Sequence, residues 1–479
     1  MTEKLTYKDL ALPTFVNSHE AITVKSYGEK GKEKAISLDL SDAYKAAVLA
    51  GVPILNVGDT RIGKSAAMND VHFNYFGGAA DGGGKSNWHV GRNEFVAKGY
   101  FETIDQSKVG EGKGLLTESR QLVKPRIEAL CNNVDEINHA VEPVQVEFFG
   151  IAEGRHEGTL LGKEGYHLFQ ASCNVNRVNG DFVGISQLDR ALLNRFGVTF
   201  DHNHYGITDE DRDALAARKT SGRAKPVETR DISDKILQAY REISEAASQR
   251  DPWLDAYLRI FSSALDYCNE SKSKKKRSVW PMNCSNCKFK HRDLCSLIKH
   301  SNQGTIETTK LFASGINYLI QLKHGKTEVD PFDLALEAFK FTTYHGNING
   351  VERDASYEGE DQDLMEDAVH KIREKINPIR KYMDMLIERV VSGHAPETRF
   401  IRLNPGTPNE IADVYSEGLE KTIKEKEKGK EKKIKYDVFD PFDDKEFSSN
   451  NGLRIDWFKG YLNSLHKHYN GSKEAEREN

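Results

Sequence analysis

Long apolar runs are missing from this sequence. No stretch of about 18 uncharged apolar residues occurs, which excludes a helix of membrane-spanning type. The opening residues, MTEKLTYKDL, lack the apolar core of a secretory leader, and none is expected there. Cysteine is scarce. Six in 479 residues make no disulfide scaffold, and four of the six fall between Cys268 and Cys295, a spacing that suits a metal site better. Together these absences predict a soluble protein of a reducing compartment, the cytoplasm. Charge of one sign is lacking too: 68 Lys+Arg stand against 73 Asp+Glu, for a net charge of −5. That balance excludes a wholesale polyanion binder and leaves room for local basic patches. No internal repeat is found.

What is present suffices for several cores. At about 150 residues per domain the chain holds two to four domains. Hydrophobic residues are 38% and charged residues 29%, so most of the chain should fold beneath a well-solvated surface. Residues 1–40 are polar and spotted with Gly and Lys; then Ser41 is placed to cap a short helix running to Gly51. VPILNVG (52–58) is an apolar run ending at glycine and reads as a buried strand. RIGKSAAMNDVHFNYF follows as turn and helix, and the glycine-rich residues 77–92 read as a mobile loop. Ile127–Val134 and Tyr166–Cys173 are further strand candidates, with a hairpin or loop insertion between them. The first 200 residues therefore read as an open α/β sheet. Helical patterns follow at 208–265 (Thr208 and Asp209 as caps), 309–323, 331–344 and 361–395, the last interrupted before Pro378. KTIKEKEKGKEKKIKY (421–436) is a charge run that reads as a solvated helix or linker, and the last ten residues as frayed.

The sharpest motif is GDTRIGKS, Gly58–Ser65, which fits G-x-x-x-x-G-K-[ST] at every fixed position. It follows a strand and opens a helix, as a phosphate-binding loop must. Gly58 and Gly63 allow the backbone of Asp59, Thr60, Arg61 and Ile62 to wrap a phosphate with its N–H groups, at the positive end of a helix. Lys64 would reach the β- and γ-phosphates, and Ser65 would offer a hydroxyl to Mg²⁺.

A magnesium carboxylate is expected at the end of a second strand, and IEALCNNVDEIN (127–138) supplies it. Asp135 would hold Mg²⁺ through water and Glu136 would polarise the attacking water, since adjacent residues at a strand end face opposite ways. Asn132 and Asn133 interrupt what should be an apolar strand, which leaves its register open. A third strand ends in Asn174, whose amide could bond the lytic water or the γ-phosphate; many strands also end in a polar residue without such a role. In QLDRALLNRFGVTFD (187–201), Arg190 and Arg195 lie in a short helix, either as surface residues or presented to a nucleotide on a neighbouring subunit.

Cys284, Cys287, His291 and Cys295 lie within PMNCSNCKFKHRDLCSLIKH and make a complete tetrahedral zinc set, with Cys268 or His300 as alternative fourth ligands. The four cysteines 268, 284, 287 and 295 could instead hold an iron–sulfur cluster. KSKKKRSVW (272–280) sits just before the cluster. It reads as a solvated loop, with phosphate-backbone contact the alternative.

The order GDTRIGKS, VDEIN, ASCN, LLNRF resembles the AAA+ ATPase superfamily, and within it the MoxR and magnesium-chelatase branch, over roughly residues 40–205 and more weakly to about 345. The resemblance implies that Gly58, Gly63, Lys64 and Ser65 are Walker A positions, Asp135 and Glu136 Walker B, and Asn174 sensor 1. It implies Arg195 as arginine finger, with Arg190 competing. Lys310 stands nearest the second sensor, where the family usually has arginine; lysine keeps the charge and loses the bidentate fork. The loop at about 151–166 matches an insertion that meets substrate or partner in relatives. ATP rather than GTP follows from the resemblance, since no N-K-x-D stretch is evident.

The expected architecture is an N-terminal segment (1–40), an α/β P-loop (AAA+) parallel-sheet domain (41–205), a helical lid (206–345) carrying a Cys-rich metal-binding insertion (266–300), and a mostly helical C-terminal extension with a charged linker (346–479). The family implies Mg²⁺-dependent ATP hydrolysis in a homo-oligomer, a hexameric ring, remodelling a protein client such as one bearing a von Willebrand factor A domain. Two alternatives stay open: a nucleic-acid-directed motor or defence ATPase using the Cys cluster and basic loop, and a non-hydrolysing nucleotide-gated scaffold.

Overall fold

The computed structural model describes residues 4–27, 33–59, 62–92, 94–104, 120–174, 188–218, 229–263, 265, 294–298, 301–342, 347–403, 411–414, 436–440 and 456–477. The chain divides into two compact units: Met1–Gln249 with Glu307–Asp363, and Arg250–Ile306 with Leu364–Asn479. No helix among the described residues is long and apolar enough to cross a membrane.

In the first unit the polar N-terminal segment carries two strands that composition alone does not announce. β1 (Glu20–Tyr27) and β2 (Glu33–Asp39) pair antiparallel, and Glu328–Val329 adds a third strand on β1. Val24 faces Ile36 across the pair, and both are buried. Asp39 then ends β2 and caps α1 (Leu40–Leu49): its carboxylate accepts the Asp42 N–H at 2.7 Å. The cap is thus Asp39, two residues before the expected Ser41, because the strand runs directly into the helix.

β3 (Ile54–Gly58) leads into α2 (Lys64–Asp70), which continues as a π-helical turn to Tyr75. The glycine-rich stretch is not simply a loop. Its second half is β4 (Ser86–Val90), and its first half folds tightly enough that a Cβ on Gly84 would lie 2.2 Å from the Gly78 oxygen. α3 (Ala97–Phe101) runs into β5 (Glu102–Ile104), which pairs antiparallel with β6 (Arg120–Leu122). The strand expected at 127–134 begins later. Pro125 opens a helical turn, α4 (Lys124–Ile127), and β7 spans Cys131–Asp135. α5 (Glu142–Ala152) follows. A short hairpin of β8 (Arg155–His156) and β9 (Thr159–Leu160) lies where an insertion is expected. β10 (Leu168–Asn174), α6 (Arg190–Leu193) and β11 (Val198–Asp201) complete the α/β part.

Five strands form one wholly parallel sheet in the order β11-β3-β10-β7-β4. Numbered by appearance the order is 5-1-4-3-2, so the strand after the phosphate loop lies at the far edge and β10 is wedged between β3 and β7. Register pairs Asn174 with Gly58, Ala171 with Val134, and Asp135 with Val90. The carboxyl ends of β3, β10 and β7 therefore meet at one edge, where open α/β sheets build their sites. One face of the sheet is packed by Leu55, Val134, Phe169 and Ala171 against Phe148, Ile151, Leu192 and Phe196.

Asn132 and Asn133 do not break β7; both are fully buried in it. Asn133 donates to Ser86 Oγ and the Asn87 carbonyl, each at 2.8 Å, and accepts from Gln170 Nε2 at 2.7 Å. Asn132 accepts from Asn87 at 2.8 Å and meets His167 Nε2 at 2.8 Å. Tyr44 in turn donates to Gln170. A polar chain thus crosses three strands, with only the Asn87 Oδ1 among these side chains left without a hydrogen bond, and it fixes register because a one-residue slip would break these pairings.

Helices Asp209–Arg218, Ser233–Ser248 and Pro331–Thr342 follow in this unit, as does helix Gln303–His324 from Glu307 onward. In the second unit, helix Asp361–Val391 runs through Pro378 without the expected interruption. Proline in a helix interior costs about 3 kcal/mol. Against that stand Leu364, Met365, Ala368, Ile372, Ile376, Met383, Leu386, Ile387 and Val390, all nearly inaccessible on one stripe, the larger of them worth roughly 1.5–3 kcal/mol apiece. The described C-terminal residues are mostly helical, and Phe400–Leu403, Ile411–Val414 and Tyr436–Phe439 add an antiparallel sheet before helix Asp456–Arg477. Within this unit Tyr461 donates to the Pro252 carbonyl at 2.7 Å. Most of the charge run at 421–436 lies outside the described residues.

Candidate active site

The site begins with two glycines that a side chain would spoil. Gly58 ends β3 at φ 143°, and Gly63 precedes α2 at φ 104°, values that L-residues rarely adopt. Between them the chain folds back closely: a Cβ on Gly58 would sit 2.3 Å from Ile62 Cδ1. Thr60 and Arg61 lie outside the described residues. Asn203, just after β11, accepts the Asp59 N–H at 3.0 Å and ties the loop to the neighbouring strand.

Lys64 points back over the loop rather than out to solvent. Its Nζ donates to the Gly58 carbonyl at 2.7 Å, to the Asp59 carbonyl, and to Asn174 Oδ1 at 3.1 Å. Burial pulls its ammonium below the ordinary lysine range, opposed by Cys173 and by the carboxylates of Asp59, Asp135 and Glu136. Three acceptors hold the charge where an anion would otherwise neutralise it.

Opposite stands the end of β7. Ser65 Oγ donates to Asp135 Oδ1 at 3.0 Å, and Ser172 Oγ donates to the same oxygen at 2.5 Å. Ser65 and Asp135 are hard oxygen donors on one wall of the cleft, a donor set that suits Mg²⁺. Glu136 takes a left-handed conformation, φ 54° and ψ 48°, which costs a non-glycine residue roughly 1–3 kcal/mol. Two bonds hold it: its N–H donates to Ser172 Oγ at 2.8 Å, and its carbonyl accepts the His139 N–H at 2.9 Å. Gly91 lies beneath this turn, its N–H donating to the Asp135 carbonyl at 2.8 Å. Asn138 pins the end of β10, its amide donating to the Asn174 carbonyl at 2.9 Å and accepting the Asn174 N–H at 3.3 Å.

These groups line one cleft of about 460 Å³: Ile62, Gly63, Lys64, Ser65, Ala66, Asp135, Glu136, Ser172 and Asn174. Among the expected site residues, Gly58 and Asp59 border it through their carbonyls on Lys64. Three others lie elsewhere. Arg195 is held by Glu153, Nη2 to Oε1 at 2.7 Å, with its guanidinium 4.5 Å from the Phe149 ring. Arg190 is exposed at the start of α6. Lys310 donates to the Gln249 carbonyl at 3.0 Å and does not line the cleft. Cys268, Cys284, Cys287, His291 and His300 lie outside the described residues, as do the Cys295 side chain and the basic loop 272–280.

Three contributors went unread in the sequence, Ser172, Asn203 and Gly91, and Asn138 is read there only as the end of the VDEIN run. Ser172 had a legible signal, since it sits two residues before Asn174 and so shares its face of the strand. The others are brought in by strands adjacent in space and distant in sequence.

No family model matches the chain, and no curated protein resembles it significantly. Among solved structures it is similar to a "putative ATPase" from Cytophaga hutchinsonii, with 13% identity over 69% of this chain and 87% of that one, at a TM-score of 0.46. A likeness that loose carries no functional argument, and the site must be judged by its own geometry.

Proposed function

We propose that this chain is a Mg²⁺-dependent ATP hydrolase of the AAA+ type, nearest in motif order to the MoxR branch. One convergence carries the reading: Lys64, Ser65, Asp135, Glu136 and Asn174, drawn from one helix and the ends of two strands, line a single cleft. In it Lys64 turns from its three oxygen acceptors to the β- and γ-phosphates. Ser65 and Asp135 hold Mg²⁺, which when bound neutralises charge on the phosphate oxygens. Glu136, fixed by Ser172, takes a proton from the attacking water, and Asn174, clamped by Asn138, orients that water or the γ-phosphate.

An arginine from a second subunit would complete the charge balance. Arg190 has no ion pair among the described residues, whereas Arg195 would first have to leave Glu153. Assembly of copies, a hexameric ring by resemblance, is therefore part of the proposal, with remodelling of a protein client as the work done. Zinc at Cys284, Cys287, His291 and Cys295 is a separate proposal resting on ligand spacing.

The experiment is Glu136→Gln. Loss of a general base costs about 10²–10⁴-fold, so phosphate release should fall by at least about 10²-fold while nucleotide is retained. Phosphate release at an undiminished rate would mean another base, and no release from the wild type would leave the non-hydrolysing scaffold.

A further inference from the structure

Away from the cleft, the α3–β5 junction and the β8–β9 hairpin bring Glu102, His156 and Glu157 together. One ligand atom from each lies within 4.8 Å of the other two. His156 is the unusual member. Its side chain is 5% exposed, its ring rests on Phe101 with centroids 4.9 Å apart, and its Nε2 is buried with no hydrogen-bond partner. That nitrogen is aimed at Glu102 Oε1, 3.5 Å away, too long for a good hydrogen bond and apt for two ligands of one ion. Glu157 and Gly158, at φ 44° and 84°, form the two-residue turn between β8 and β9, which places this carboxylate next in sequence to the imidazole. Lys98 Nζ lies 3.1 Å from Glu157 Oε1, so an incoming cation must compete with an ammonium already there.

We infer that Glu102, His156 and Glu157 form a divalent transition-metal site of the zinc class, fastening the β8–β9 hairpin to the α3–β5 junction. One imidazole nitrogen and two carboxylates make a three-ligand set that leaves a position for water. The two carboxylates supply charge for the ion, and the buried Nε2 exchanges a long contact with Glu102 for a direct bond. The site shares no residue with the Cys284–Cys295 ligand set or with Ser65 and Asp135, and it does not depend on the proposed reaction.

Cobalt(II) is the probe, titrated into the full-length chain without nucleotide and with Mg²⁺ in excess to occupy hard-oxygen sites. Absorption separates the candidates, because thiolate ligation adds charge-transfer bands that a nitrogen and oxygen site lacks. Wild type should show a weak visible spectrum beyond any thiolate signal, one Co²⁺ per chain, displaced by Zn²⁺. His156→Ala should lose it. Glu157→Gln alters an exposed side chain that the fold can spare, and it should weaken Co²⁺ by at least about tenfold, as loss of even an outer partner does. Equal Co²⁺ affinity in Glu157→Gln and wild type, with circular dichroism confirming both folded, would overturn the assignment. So would a wild-type spectrum carrying thiolate bands alone.

Discussion

Gly91 touches no nucleotide in the proposed mechanism, yet its replacement by alanine should cripple hydrolysis. A Cβ there would lie 2.2 Å from the Glu136 carbonyl oxygen and 2.7 Å from Ile137 Cα, whereas ordinary contact begins at 3.4 Å. Backbone must therefore yield by more than 1 Å. Gly91 cannot retreat freely, because its N–H is bonded to the Asp135 carbonyl at 2.8 Å. The Glu136 turn has little slack either, since its left-handed conformation depends on the bonds to Ser172 and His139. Overpacking of this kind costs roughly 1–3 kcal/mol in stability. A displacement of about 1 Å in a catalytic group costs about 10²-fold in rate. Gly91→Ala should thus lower kcat for phosphate release by about 10²-fold. Its affinity for a fluorescent ATP analogue should stay within about threefold, because Lys64 and Ser65 are carried by α2, and the Gly91 Cβ would press on Glu136 and Ile137 instead. Gly99→Ala is the matched control, as its Cβ would meet nothing within 4 Å. A folded Gly91→Ala protein with wild-type kcat would refute the placement of Glu136 as the group that activates water.

Asn133→Leu should destabilise the first unit by roughly 3 kcal/mol, because Ser86, Asn87 and Gln170 each lose a buried partner. Thermal unfolding should read this as a fall of about 6–12 °C, and an unchanged midpoint would contradict the polar chain. Acid should weaken the fold through buried neutral histidines. Burial holds His202 down to about 3, with Lys64 adding to it, and pushes His89 and His167 down to about 4. The unfolded chain takes up protons below about 6.5 and the folded one does not, so this stability is complete above about 6.5 and is lost as pH falls toward 3–4. Each such histidine costs roughly 2 kcal/mol at pH 5. The urea midpoint of His202→Gln should vary less between pH 7 and 5 than that of wild type; equal slopes would contradict the reasoning.

The parts of the site that were legible are those where chemistry demands a residue at a fixed spacing. That Gly63, Lys64 and Ser65 line one cleft with Asp135, Glu136 and Asn174 follows from a phosphate-loop spacing and from strand ends, both visible in the sequence. The sheet was legible as α/β, but β4 was not, since five glycines in 77–84 masked the strand that follows them. Asn132 and Asn133 misled for a related reason. In-strand asparagines look like a break when taken alone, and become sound only once Ser86, Asn87, Gln170 and His167 arrive from other segments. Pro378 misled because local propensity is worth a few kcal/mol, while a long buried stripe is worth more. Asn138, Asn203 and Gly91 act across strands, a relation no one-dimensional pattern carries.

The account stands or falls on whether the cleft holds a triphosphate through Lys64. Equilibrium binding of a fluorescent ATP analogue with Mg²⁺ should give saturable binding to wild type, weakened at least about tenfold in Lys64→Ala by the loss of a charge-assisted contact worth about 1.5–3 kcal/mol. A chain that binds no nucleotide, or binds it equally well without the Lys64 ammonium, would contradict it.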